Sequence, residues 1–193
     1  MKPITCRWVT NEKPESDEGV RARIVVKDIA RGSATARSLA ISSPTPSVES
    51  LRMVLGASCG IWGAEMSLYA IDVSQAFMNS PLRDKERIVL RMPLSISTTS
   101  GEPIFLEAHK ALNGLRVANL TWSVFLKDIV SKVGLSCSTT EPCLYGGVID
   151  GSPTLLLCYV DDLLIASSSD KAFHRVFKEL SKHVKVREMA EDL

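Results

Sequence analysis

The chain has 193 residues, 45% of them apolar and 23% charged, an ordinary globular composition long enough for one domain or two small ones. Lys and Arg total 23 against 22 Asp and Glu, so a net charge of +1 gives no global basic field and any nucleic-acid partner must be held by local patches. Five scattered cysteines (Cys6, Cys59, Cys137, Cys143 and Cys158) form no Cys-x-x-Cys pair, and no histidine lies near one, which argues against a zinc site or disulfide framework and for a reducing compartment.

Residues 1–19 are polar and proline-containing, with Trp8 as their large apolar anchor. Residues 20–27 read as a strand, with Arg21, Arg23 and Val25 on one face and Ala22, Ile24 and Val26 on the other. Between Arg21 and Arg37, five basic residues (Arg21, Arg23, Lys27, Arg31 and Arg37) meet one acid, Asp28. That surplus is either a solvated strand edge whose charges block aggregation or a phosphate-facing surface. Residues 28–46, rich in Ala, Ser, Thr and Pro, read as a loop. Ser47 is placed to cap a helix running to about Cys59, with Val48, Leu51, Val54 and Leu55 on one side, Glu49 in the first turn, and Gly60 and Gly63 behind it.

Residues 66–73 are an apolar run interrupted by one charge, Asp72, near its end. The run suits a buried strand, where an aspartate is seldom indifferent. Asp72 is either the cap of a short helical turn over 74–79 or a metal ligand. Residues 81–86 read as a charged turn. Residues 87–92 alternate, Ile88, Leu90 and Met92 against Arg87, Val89 and Arg91, as a half-exposed strand does. A Ser/Thr/Gly/Pro loop fills 93–103, and 104–115 is mixed. An amphipathic helix is expected over about 118–133, with Trp122, Phe125, Leu126, Ile129 and Val133 facing one way and Gly134 stopping it.

Residues 136–153 are turn-rich, with Pro142, Gly146, Gly147, Gly151 and Pro153. Two apolar runs then flank Asp161-Asp162, so the spacing predicts a hairpin whose two-residue turn is the aspartate pair. Adjacent carboxylates repel, at a turn whose backbone usually wants positive φ. The pair is either a solvated turn that tolerates Asp or a divalent-cation site. Asp170 is expected to cap a final helix with Phe173, Val176, Phe177 and Leu180 on its core face, and 184–193 look like the start of a further strand.

The order is basic strand, helix, strand ending in Asp72, helices, and a hairpin carrying Asp161 and Asp162, the first of which lies 89 positions after Asp72. Brought together, these carboxylates would hold two divalent cations for in-line phosphoryl transfer. Tyr159-Val160-Asp161-Asp162 is similar to the reverse transcriptase signature Tyr-x-Asp-Asp. Four further motifs resemble copia-type retrotransposon polymerases: Arg21-Ala22-Arg23-Ile24-Val25-Val26-Lys27, Asp72-Val73-Ser74-Gln75-Ala76-Phe77-Met78-Asn79, Ile88-Val89-Leu90-Arg91-Met92-Pro93 and Lys110-Ala111-Leu112-Asn113-Gly114-Leu115-Arg116. Glu141-Pro142-Cys143-Leu144-Tyr145 completes the series, and the resemblance runs from about Trp8 to the C-terminus.

The resemblance implies an α+β fold, a ferredoxin-like polymerase palm with a fingers subdomain and no thumb. It divides the chain into 1–65 (fingers, N-terminal part), 66–103 (palm, first part), 104–140 (fingers and palm helices) and 141–193 (palm with the Asp-Asp hairpin). It implies an RNA-directed DNA polymerase in which Asp72, Asp161 and Asp162 are catalytic. Those three and Val73 would hold two Mg²⁺ ions, with Mn²⁺ as the alternative. Arg23, Lys27, Phe77 and Arg116 would meet the incoming nucleotide, Phe77 crowding the sugar C2′ or serving simply as core, and Tyr159 would lie beside the primer terminus. The implied partners are an RNA or DNA template-primer, deoxynucleoside triphosphates and the rest of a polyprotein.

The sequence also departs from the family. Val117 stands where the family has a glutamine that packs on the nucleotide, Asn119 where it has proline, Asn113 where tyrosine is usual and Ser80 where glycine is usual. The alternative reading is therefore an inactive retroelement remnant that folds and binds nucleic acid. With the thumb segment not in the chain, feeble polymerisation or none is expected of it alone. No signal peptide is read at the N-terminus and no apolar run is long enough to span a membrane, so no membrane partner and a cytoplasmic location, or else a nuclear one, are expected.

Overall fold

The computed structural model describes residues 2–12, 19–28, 45–60, 65–82 and 87–189. Its elements follow in the order β1 (Ile4–Glu12), β2 (Val20–Val26), α1 (Val48–Ser58), β3 (Ser67–Val73), α2 (Ala76–Asn79), β4 (Ile88–Arg91) and β5 (Phe105–Ala108). Then come α3 (Ala118–Ser131), β6 (Ser136–Cys137), β7 (Leu144–Ile149), β8 (Ser152–Tyr159), β9 (Asp162–Ser167), α4 (Asp170–Ser181) and β10 (Val186–Glu188). The strands make two sheets, a four-stranded one ordered β2-β1-β4-β5 and a six-stranded one ordered β10-β3-β9-β8-β7-β6. The architecture is mixed α/β.

The large sheet is apolar on both faces, which is why its central strands read as continuous apolar runs without alternation. On one face Leu163, Ile165, Ile71 and Leu156 pack against Trp122, Leu126 and Ile129 of α3 and Phe173, Val176 and Leu180 of α4. On the other, Leu157 and Ala166 pack against Val54 and Ala57 of α1. Ser47 caps α1 as its sequence suggests, its side chain accepting the Ser50 N–H at 3.1 Å. The small sheet closes on a third cluster that includes Cys6, Val26, Leu90, Ala111 and Leu115. Phe77 packs against both this cluster and the main core, and so bridges the two sheets.

Several elements differ from the sequence expectation. Residues 4–12 form β1, paired with β2 in antiparallel register from Cys6↔Val26 to Glu12↔Val20. Only Cys6 of β1 is buried, so the strand carries no apolar alternation to reveal it. The turn-rich segment 136–153 contains β6 and β7, with Tyr145 fully buried. One of its glycines is there for a close approach: a Cβ on Gly147 would stand 2.3 Å from the Gly134 carbonyl oxygen. Ser169, not Asp170, is the N-cap of α4. Asp72 caps nothing, because it lies within β3 and the N-cap of α2 is Gln75. Gly63, Arg31, Arg37, most of the 28–46 loop and most of the 81–86 turn lie outside the described residues.

Candidate active site

The hairpin expected to turn on Asp161-Asp162 turns one residue earlier. Tyr159 pairs with Asp162, so the two central residues are Val160 and Asp161, and Asp162 opens β9. Val160 has φ 57°, while Asp161 keeps a negative φ. Positive φ at the first central residue alone is the pattern of a type II′ turn, which normally takes glycine there. A β-branched residue in that region costs about 1–3 kcal/mol, so neighbouring structure must impose the conformation. The Val160 carbonyl accepts the Trp122 indole N–H at 2.5 Å and the Cys158 thiol at 3.5 Å. The Asp161 carbonyl accepts the Val73 N–H at 2.8 Å.

That last bond ties the hairpin tip to the end of β3. The β3–β9 ladder sets Asp72 opposite Asp162, and directly paired residues share one face. Arg187 of β10 stands opposite Asp72, and Tyr159 opposite Asp162. Arg187, Asp72, Asp162 and Tyr159 thus form a row across four strands, on the face that α1 covers farther along. The Arg187 Nη2 is 3.8 Å from Asp72 Oδ2, with the arginine side chain 76% exposed. Partial burial, then the Asp161 and Asp72 carboxylates, raise the Asp162 pKa above the ordinary aspartate range. Asp162 therefore feels the charge of the other two acids. Among the described residues, however, no three His, Cys, Asp or Glu side chains already close around a point where a metal ion could sit.

Beside this row opens a cleft of about 720 Å³ between the small sheet and the hairpin tip. Arg21, Arg23 and Lys110 bring cations to it, His109 an imidazole, Asp161 and Glu107 carboxylates, and Phe77, Leu90, Met92 and Leu106 give it apolar walls. Of the residues singled out in the sequence, Arg23, Phe77 and Asp161 line the cleft, whereas Asp72, Asp162 and Lys27 do not. Lys27 is exposed just past the end of β2. Arg116 is engaged elsewhere: its backbone N–H donates to Asp28 Oδ2 at 3.1 Å and its Nε to the Asp28 carbonyl at 3.0 Å. Val73 is buried, and Tyr159 is 55% exposed at the end of β8.

His109 and Lys110 in the cleft, Trp122 as a donor to the turn and Arg187 beside Asp72 are candidates that the sequence does not single out. Lys110 opens a quoted motif and could have been found there. Arg187 carries no sequence signal, because its place opposite Asp72 comes from strand pairing alone.

Residues 1–192 match the family model described as reverse transcriptase (RNA-dependent DNA polymerase). Among curated proteins, the chain is 26% identical to the retrovirus-related Pol polyprotein from transposon RE1 of Arabidopsis thaliana, over 97% of this chain and 13% of that protein. It is 23% identical to the corresponding polyprotein from transposon TNT 1-94 of Nicotiana tabacum, over 97% of this chain and 14% of that protein. The chain therefore spans only about an eighth to a seventh of the curated relatives it matches. Among solved structures, an apo telomerase from Candida tropicalis aligns with 99% of this chain and 53% of its own, at a TM-score of 0.48 and 11% identity.

Proposed function

The chain belongs to the reverse transcriptase (RNA-dependent DNA polymerase) family, and from that premise we propose that it forms the nucleotidyl-transfer centre of a copia-type retrotransposon polyprotein. In this reading the large sheet with α3 and α4 is a ferredoxin-like palm and the small sheet belongs to the fingers, with divisions near residues 65, 103 and 140. The observation that carries the proposal is the pairing of Asp72 with Asp162 across β3 and β9, with Asp161 one residue away at the turn.

The donor set suits a hard divalent ion: three carboxylates, and the Val73 carbonyl as a further oxygen. Asp72 and Asp161 would be the principal ligands, with Asp162 sharing the charge. Two Mg²⁺ or Mn²⁺ ions, when bound, would activate the primer 3′-hydroxyl and steady the leaving pyrophosphate. Arg23 would meet the triphosphate from the cleft wall, with Arg21 and Lys110 adding charge, His109 a ring N–H donor, and Lys27 reaching in from the end of β2. Arg116 would act through Asp28, fixing the end of the basic strand. Phe77 would crowd the sugar, and Tyr159 would stand beside the primer terminus at the exposed end of the row. The partners follow as template-primer, deoxynucleoside triphosphates and the rest of the polyprotein, in a reducing intracellular setting.

A second reading, a folded but inactive remnant, is favoured by Val117. This residue precedes α3, offers no side-chain cap and packs on the small-sheet cluster, where the family's glutamine would present an amide. Primer extension on an RNA template, with the chain in excess over primer, decides between the two. Slow metal-dependent incorporation that rises with Val117→Gln and disappears with Asp161→Asn is expected. No incorporation by either the chain or Val117→Gln would favour the remnant.

A further inference from the structure

Val160 is the one β-branched residue among the described residues that holds a left-handed backbone. Nothing in its own chemistry favours that conformation, so it is imposed from outside. Each carbonyl of the turn is anchored by a different element. Val73, at the end of β3, donates its N–H to the Asp161 carbonyl. Trp122, on α3, donates its indole N–H to the Val160 carbonyl, and the Cys158 thiol adds a weaker donor to the same oxygen. Trp122 is 2% exposed, so the bond is shielded from bulk solvent, and breaking it would cost a buried donor its oxygen partner. The orientation of the peptide plane that carries the Val160 carbonyl decides the turn type, and with it the direction in which Asp161 leaves the backbone.

We propose that Trp122 is a positioning residue of the metal centre: its indole N–H locks the strained turn so that Asp161 is held beside Asp72 and Asp162. The proposal rests on the reading of Asp161 as a metal ligand. Hydrogen-bond partners that orient a ligand carboxylate commonly matter nearly as much as the ligand. Trp122 differs from them in acting through the backbone.

The ring and its N–H can be separated. Trp122→Phe keeps an aromatic side chain in the core and removes the donor. Leu126→Ala serves as control, since it removes buried bulk from the same helix and the same cluster without touching the turn. In the unaltered chain, the Trp122 indole N–H should exchange with solvent far more slowly than that of Trp8, whose partner is exposed Ser95. Exchange as fast as that of Trp8 overturns the proposal, and this arm holds even where Trp122→Phe fails to fold. In Trp122→Phe, Mn²⁺ affinity should fall about 10-fold, while Leu126→Ala lowers the melting temperature and keeps the affinity. Equal affinity losses in both variants would reduce Trp122 to core packing and overturn the proposal. If the unaltered chain takes up no Mn²⁺, the metal reading fails by itself. The Val73 amide, bonded to the Asp161 carbonyl, then decides: faster exchange in Trp122→Phe than in Leu126→Ala supports the lock, and equal exchange overturns it.

Discussion

Asp162 feels both neighbouring carboxylates, and that proximity has a cost to folding. Partial burial and the charges of Asp161 and Asp72 raise its pKa in the folded chain. For an acid, a raised folded pKa means that ionisation is harder in the folded state than in the unfolded one. Stability therefore falls as pH rises from the ordinary aspartate range, about 4, through the raised value, and the loss persists at neutral pH. Asp162→Asn removes the charge and should melt above the unaltered chain at pH 7. The difference should vanish near pH 3, where both states of the unaltered chain are protonated. Melting curves at the two pH values check this. A neutral-pH melting temperature unchanged or lowered by Asp162→Asn would mean that the three acids are not crowded. The gain should come with weaker Mn²⁺ binding, the trade expected where a site is built from like charges.

Two backbone contacts show what the elements demand of single residues. Gly114 has φ +89°, and a Cβ there would stand 2.1 Å from the Val26 carbonyl oxygen, beside the Val26 N–H bond to the Asn113 carbonyl. Gly114→Ala should cost about 2–4 kcal/mol, the strain of the left-handed backbone plus the overlap. Gly151, at φ +82° with open space around it, bears the strain alone, so Gly151→Ala should cost about 1 kcal/mol. Chemical denaturation of the two variants measures the contrast. Glu141 latches the loop before β7 to the start of α1, accepting the Ser47 N–H at 3.1 Å and the Ser50 hydroxyl at 3.1 Å. Burial works against its ionisation, but the bonds from Ser47, Cys143 and Ser50 outweigh it and hold its pKa below the ordinary glutamate range. A depressed carboxylate contributes stability above its unfolded pKa and loses it as pH falls through the folded one. Glu141→Gln should therefore cost about 1 kcal/mol at pH 7 and progressively less below about pH 4. Helices α3 and α4 were legible because they bury the apolar face expected of them at 3.6-residue spacing, whereas α1 was legible only by its Ser47 cap: Val48, Leu51 and Leu55, expected on its apolar side, are exposed, and Ser50, Val54 and Ala57 are buried instead. β1 was not, since all but one of its residues remain at least partly exposed, and β7 was not, since Gly146 and Gly147 read as a turn until Leu155 is seen against the first and Gly134 against the second. The candidate carboxylates were legible as residue types at strand ends. Their arrangement was not, because the turn sits on Val160, where propensity argues against positive φ and only Trp122 and Val73 supply the reason.

On the scale of the whole molecule, a net charge of +1 conceals a separation. The small sheet brings Arg21 and Arg23 to one wall of the cleft, and the hairpin of the large sheet brings Asp161 to the other, with Asp72 and Asp162 paired behind it, off the cleft lining. Such an arrangement can hold a polyanion and its counter-ions without a basic surface overall. Mn²⁺ titration followed by electron paramagnetic resonance decides whether the three aspartates form the one divalent-metal centre proposed for them. The chain should take up Mn²⁺, and Asp72→Asn and Asp161→Asn should each weaken that uptake by about 10-fold or more while the fold, followed by circular dichroism, is retained. Mn²⁺ left free in solution, or bound equally well by both variants, would mean that the aspartates are no metal centre.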